Sequence, residues 1–529
     1  MLGKRRARDD SSASAERATV VAAFVEWLKA RGASLDGLDI KANEDGESYG
    51  VYASRALKSG DAFGRLPKEI ILDPLAVLAD DPVAVQALKL GGSPAVCFWF
   101  ALANSSKSPS HEFAPYLASL PRSAPDPCSW SDEERALFDG TQLAVQVARQ
   151  LRLLADEHAK IQSAAPHVSF KDMLWARGCH LSRCFPRALV EAAALSSPHQ
   201  ILASDMIEES HSVTSLTVEH GGGQAAKVTW SAPPASAASD ESHGRPTATA
   251  QPPAPPPPPS SSLPPQPPPP PQPQPPPSSS YASASEEHAA GNLGCLLPMF
   301  DMTDHKNGHP IGWEAGCGCI RFRCRVAVGA GEPLYNNYGS KGNQELIFTY
   351  GFAIPDNPLD AVEGVVVGCA PTDDEALAAE RRRLLDEQEI PYSVRTTDGA
   401  LLIGPFDIRP SPPAPAAARD AEGEDEEEEE ASDGLLPAEL LFALQVVGMD
   451  DPDEGPMLTL DELELLHATL DARRTALLPT ERLDARAAAG TKEGFVAAYR
   501  DGQRRVLGEA LAEVQAMMAG AGGGEEGED

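Results

Sequence analysis

Tyr338 stands in the segment NNYGSKGNQELIFTYGF (Asn336 to Phe352), followed by a second tyrosine, Tyr350, then Gly351 and Phe352. His305, 33 residues before Tyr338, closes LLPMFDMTDH (Leu296 to His305), which also carries Asp301, Met302, Thr303 and Asp304. Further upstream lie SRCF (Ser182 to Phe185), with Arg183 and Phe185, and YGVYASRALKSGDAFGRLP (Tyr49 to Pro67), with Asp61, Ala62 and Phe63. Taken singly, each residue has a structural explanation. Tyr338 suits a strand-end aromatic, Asp301 and His305 suit capping side chains of a turn, and Arg183 suits a surface arginine. Asp61 to Phe63 suit a strand end, and Tyr350 with Phe352 suits packed core. Taken together, they bring a phenol hydroxyl, an imidazole, carboxylates and a guanidinium fork into one set of motifs, the fork being suited to a carboxylate partner.

A metal site is the weaker reading of the cysteines. Cys317, Cys319 and Cys324 read C-x-C-x4-C, but no fourth ligand is evident. On a strand Cys317 and Cys319 would point one way and Cys324 the other. They are expected to be structural thiols, with no metal bound.

The elements that must position these residues are legible in part. Val20, Phe24 and Leu28 recur at helical spacing and Gly32 follows, which predicts an amphipathic helix over Val20 to Arg31. Tyr49 to Ala56 and Glu69 to Leu72 read as short strands. Ser131 with Glu134 forms a capping box ahead of a helix from Asp132 to about His158. Cys319 to Val328 and Pro333 to Asn337 read as strands, and Asn343 to Tyr350 as one or two helical turns. After Asp360 the chain reads as mostly helical, most clearly over Leu435 to Val447, Thr459 to Leu477 and Lys492 to Met518.

The chain has 529 residues and a net charge of −34, which excludes nucleic-acid binding by bulk charge. The longest dense apolar run, Ala95 to Ala103, is far short of the roughly 20 residues of a spanning helix, so no membrane association is expected. The start, MLGKRRARDD, does not read as a secretory signal. The nine cysteines are therefore expected as reduced thiols in the cytoplasm or nucleus. Lys4 to Arg8 reads as a nuclear signal or as an ordinary basic N-terminus.

Charge and proline are local. Gln251 to Pro277 holds 18 prolines in 27 residues, the signature of polyproline II. It either engages an SH3, WW or profilin-like partner or is a tolerated loop insertion. Ser197 to Gly291 is read as one disordered insertion around it. Asp420 to Asp433 holds ten acids and no base, within a second disordered loop from Pro410 to Gly434. With this block and the acidic tail set aside the charge is still −20, which favours a basic protein partner.

In this order, the motifs resemble the SET-domain methyltransferases, in the branch of the RuBisCO large-subunit lysine methyltransferase. HEFAPYLASLP (His111 to Pro121) and WSDEERALFDGT (Trp130 to Thr141) are similar to that branch's helical insert, and YRDGQRRVL (Tyr499 to Leu507) to a helix of its substrate-binding domain.

The resemblance implies an α+β architecture: a β-rich SET domain over residues 18–355, with a helical insert at about 100–170 and the disordered insertion at 197–291. An α-helical substrate-binding domain over 356–518, carrying the acidic loop at 410–434, would follow. Residues 1–17 and 519–529 would be disordered tails.

It also implies transfer of a methyl group from S-adenosyl-L-methionine to a lysine nitrogen of a protein substrate, such as a ribosomal, translation-factor or histone protein. Tyr338 would be the catalytic tyrosine. Asp61, Ala62 and Phe63 would line the adenosine pocket, and Arg183 would take the cofactor carboxylate. Asp301, Met302, Thr303, Asp304 and His305 would hold its amino-acid part, and Tyr350, Gly351 and Phe352 would close the channel. Phe185 and Tyr350 would contact the acceptor. The family usually has Asn where this chain has Asp304, a change that loses an amide donor. The related actin-histidine enzymes carry Asn where this chain has Phe185, so Phe185 favours lysine. A histidine methyltransferase and an inactive SET-like binding or scaffold protein are the alternatives.

Overall fold

The computed structural model describes residues 17–42, 49–197, 199–202, 215–219, 227–231, 293–410, 434–453, 455–477 and 490–522. The polyproline run, the acidic block and the basic N-terminal stretch lie outside the described residues.

Residues 17–30 form the expected amphipathic helix, with Phe24 and Leu28 fully buried. Gly32 then adopts φ +82°, a left-handed conformation that ends the helix at little cost to glycine. Leu38–Ala42 and Tyr49–Ala53 pair as an antiparallel ribbon. Ala62–Pro67, Cys319–Cys324, Ile311–Gly316 and His199–Leu202 lie side by side in a four-stranded antiparallel sheet. The strand His199–Leu202 falls inside the stretch read as disordered, so the folded part extends past Ser197. A hairpin of Ser215–Glu219 with Lys227–Ser231 also lies in that stretch.

Helices occupy Pro74 to Leu181, a wider insert than the expected 100–170. The capping box at Ser131 and Glu134 is present, but its helix ends at Arg135. A 3-10 turn follows, and the long helix Gln142–Ile161 starts afresh from a Thr141 cap. Gly140, at φ +80°, makes the break, and a Cβ there would lie 2.4 Å from the Ala476 carbonyl oxygen. Gly140 and the Thr141 cap are the local stop and start signals, and the C-terminal lobe leaves no room for a Cβ at that turn. Glu69 to Leu72 is likewise no strand: Lys68–Ile70 is a 3-10 turn, and Leu72 makes a single bridge to Leu296.

Buried apolar residues form two clusters. The first draws on residues up to Ala353, joined by Val496 and Tyr499; the second runs from Val362 to Val514. The second lobe is mostly helical, as read, but also holds an antiparallel sheet of Val362–Cys369, Leu401–Ile408 and Tyr392–Val394. The Val-rich run EGVVVGC, with buried and part-exposed positions interleaved, was the missed strand signal.

The helix Lys492–Gly522 ties the lobes together. Arg500, buried on it, donates to the carbonyls of Leu137 (2.7 Å) and Asp139 (2.6 Å). Tyr499 donates to Gln344 Oε1 at 2.8 Å. Among the described residues, no helix is long and apolar enough to cross a membrane.

Candidate active site

Two distant motifs meet as neighbouring backbone. Tyr335–Asn336 runs parallel to Asp304–His305, and the Lys306 amide donates to the Asn336 carbonyl at 3.0 Å. Just upstream, Met299 holds φ +88° although it is not glycine and is fully buried, so strain sits at the entry to this crossing.

His305 Nδ1 accepts the Tyr338 amide at 3.0 Å. Its proton must therefore sit on Nε2, which lies 2.6 Å from Asn307 Oδ1 and donates to it. Burial lowers the pKa of this imidazole and so favours that neutral form. The Tyr338 ring stacks between His305 and Tyr350, with centroids 4.9 and 4.7 Å away. Its hydroxyl donates to the Thr303 carbonyl at 2.6 Å. Burial pushes the Tyr338 phenol well above its ordinary value, with the Asp304 and Asp301 charges adding to the effect. The hydroxyl stays protonated, its donor position occupied and its lone pairs available to accept.

Arg183 follows the helix Phe170–Leu181 and donates to the Asp301 carbonyl at 2.8 Å. Its Nε is buried and has no hydrogen-bond partner. Asp301 Oδ1 is also buried and unpartnered, while Oδ2 accepts the Tyr116 hydroxyl at 2.5 Å. Desolvation raises the Asp301 carboxyl to about 6, against the opposing pull of Arg183 and Tyr116.

Two cavities share this wall. The smaller, about 120 Å³, is lined by Phe185, Pro186, Trp313, Asn336, Asn337 and Lys341 among others. The larger, about 480 Å³, is lined by Tyr49, Arg122, Asp304, His305, Phe352 and Lys492 among others. Ser182, Arg183, Asp301, Thr303, Tyr338 and Tyr350 line both. One cavity can thus hold a polar, carboxylate-bearing molecule against Arg183 and the other an elongated side chain against Phe185, the two meeting at Tyr338.

Asp304, His305, Met302 and Phe352 line the larger cavity only, and Phe185 the smaller only. Phe185 is held edge-on to Trp313 (5.5 Å) and Phe322 (5.9 Å). Gly351 lines neither cavity. At φ +74° it lets the chain turn under Pro125, whose carbonyl oxygen a Cβ would meet at 2.1 Å.

Asp61, Ala62 and Phe63, expected around the adenosine, line neither cavity. Phe63 is buried edge-on to Phe322 inside the sheet, Ala62 pairs with Arg323, and Asp61 accepts the Lys58 amide at 3.0 Å on the surface. Tyr49, at the other end of the same motif, lines the larger cavity instead. Sequence reasoning also missed Tyr116 and Lys341, which lie inside motifs already quoted, and Trp313 and Lys492, which lie outside every quoted motif.

Among the described residues, no group of three or more His, Cys, Asp or Glu side chains could hold a metal ion. Cys317 is exposed, and Cys319 and Cys324 are buried.

No family model matches the chain. The ribosomal lysine N-methyltransferase set10 of Schizosaccharomyces pombe is 43% identical over 70 residues, 13% of this chain and 13% of that protein. The actin-histidine N-methyltransferase of Drosophila melanogaster is 32% identical over 102 residues, 19% of this chain and 18% of that protein. The matched segments thus span less than a fifth of those relatives' own lengths. The crystal structure of the SET domain of LSMT bound to lysine and AdoHcy superposes with a TM-score of 0.57 at 15% identity, covering 95% of this chain and 92% of that one. The chain therefore has the SET-domain fold of the LSMT structures.

Proposed function

We propose that this protein is a methyltransferase that moves a methyl group from S-adenosyl-L-methionine to a lysine nitrogen of a protein substrate. The observation that carries the reading is the pair of cavities sharing one wall at Tyr338. The similarity to a ribosomal lysine N-methyltransferase and the fold shared with a structure solved with lysine and AdoHcy support it.

The residues present fit the donor. Arg183 Nε is a buried donor awaiting a partner, and a carboxylate of the donor's amino-acid part would supply one. His305, Phe352 and Tyr49 line the rest of that cavity. When bound, the donor supplies a methyl group on a positive sulfonium. An acceptor nitrogen held beside Tyr338 would receive that methyl group.

The chain's own residues prepare the attack. Phe185, Trp313 and Tyr350 wall the acceptor cavity with apolar surface, which disfavours the ammonium form of an entering lysine. Tyr338, kept protonated by burial, orients the nitrogen through its hydroxyl oxygen rather than taking its proton. Aromatic stacking on both faces holds that hydroxyl in place.

The test is incubation of the protein with labelled methyl donor and a cell lysate, wild type beside Tyr338→Phe. Label should enter a protein band with the wild type and be lost with the variant. Equal labelling of the same band by both would refute the role of Tyr338. Mass-spectrometric localisation of the methyl group decides the second reading, a histidine acceptor, which the similarity to the actin-histidine N-methyltransferase favours.

A further inference from the structure

Tyr116 touches neither cavity, yet it makes the shortest tie to the shared wall. It lies on the short helix Ala114–Ser119 of the insert, fully buried, with its ring 5.9 Å from Phe24. Its hydroxyl donates to Asp301 Oδ2 at 2.5 Å. Asp301 in turn meets Arg183 twice, through its carbonyl at 2.8 Å and through Oδ2 at 4.0 Å. The second contact is long, so the Tyr116 hydroxyl is the close donor to a buried carboxylate whose other oxygen has no partner. Losing that close donor would leave the carboxylate with the pull of Arg183 and of the Met299 and Asp301 amides, and make it easier to rotate or protonate. Either event would weaken the Oδ2 contact with Arg183, leaving the guanidinium held along both cavities by the Asp301 carbonyl alone.

We propose that Tyr116 is a positioning residue for methyl transfer: its hydroxyl fixes the Asp301 carboxylate, which aligns Arg183 and the crossing segment beneath Tyr338. The inference rests on the reading of this site as a donor-and-acceptor site. It makes the helical insert a working part of the site. The charged and titratable groups around Asp301 are Arg183 and Tyr116, with Tyr338 across the cavity and Cys179 beside Tyr116. Burial raises the carboxyl and the Tyr116 hydroxyl opposes that rise, because it donates to the ionised form.

The experiment uses the full chain and measures S-adenosyl-L-methionine binding by calorimetry from pH 5 to 8, beside methyl transfer. Tyr116→Phe should move the acidic limb of binding upward by about one pH unit, the effect of losing one hydrogen bond to a charged group. Binding at pH 6 should weaken about fivefold, and at pH 8 by less than about threefold. Asp301→Asn should abolish the limb, and adding Tyr116→Phe to it should change nothing further. If Tyr116→Phe does not fold, 3-fluorotyrosine at position 116 packs as tyrosine does and donates more strongly, so it should move the limb downward. A limb that stays at its wild-type position in Tyr116→Phe or with 3-fluorotyrosine overturns the inference, whatever happens to the melting temperature. A wild-type protein that binds no donor refutes the reading of the site instead, so the two failures are distinguishable.

Discussion

Asp126 and Arg177 form an ion pair with both side chains fully excluded from solvent, Nη1 lying 2.6 Å from Oδ1. Asp126 also accepts the Cys128 amide at 3.1 Å and the Ser129 hydroxyl at 3.2 Å. Arg177 lies over Trp99 and Phe348, 5.8 and 5.5 Å from the ring centroids. Asp126→Ala would leave the guanidinium buried and unpaired, a loss of about 3–5 kcal/mol for breaking one side of such a pair. The two further hydrogen bonds add about 1 kcal/mol each, so about 5–7 kcal/mol in all is expected. Arg177→Met should cost less, about 3 kcal/mol, because Asp126 keeps two donors and, its pKa raised by desolvation, can be protonated. The double variant should then fall short of the sum by about 2 kcal/mol or more, the coupling expected of residues in direct contact. Against a typical total stability of about 5–15 kcal/mol, Asp126→Ala alone brings the fold near its limit. Urea unfolding of the four proteins measures each term. Losses below about 1 kcal/mol for each single variant, adding without coupling, would refute the reasoning. Pro125 precedes Asp126 and lines the larger cavity, so donor binding by Asp126→Ala should weaken even where the protein stays folded.

Three further outcomes are expected. Gly351→Ala, forced into a left-handed conformation and against the Pro125 carbonyl, should cost about 2 kcal/mol or more in thermal unfolding and weaken donor binding by displacing Tyr350. Asp304→Asn removes a charge that acts on Tyr338, and donor binding in calorimetry should tighten about threefold or more through reduced repulsion of the donor's carboxylate. His180 is buried, accepting from Trp99 at 3.1 Å, and burial lowers its pKa from 6.5 to about 4. The fold keeps it neutral while the unfolded chain takes a proton, so stability present above pH 6.5 should fall as pH drops toward 4, by up to about 3 kcal/mol. Unfolding across that window should lose this slope in His180→Gln; an unchanged slope would assign the acid sensitivity elsewhere.

Much of the site was legible because its residues cluster in short motifs whose order along the chain is itself informative. Tyr338, Arg183, Thr303, Asp301 and Tyr350 all line the shared wall, and Phe185 the smaller cavity. Local rules also sufficed for the first helix and for the capping box at Ser131, since both depend on neighbours within a turn or two. Tertiary structure decided the rest. Alternation along a strand says which residues share a face, not which face meets a cavity. Phe63 is turned into the sheet by its pairing with Phe322, and Tyr49, 14 residues before it, reaches the cavity instead. The lack of room for a Cβ at Gly140 comes from a carbonyl of the C-terminal lobe, and the Tyr116 tie to Asp301 spans 185 residues. Such contacts leave no periodic trace, because closing a long loop places together residues whose local sequences never had to agree.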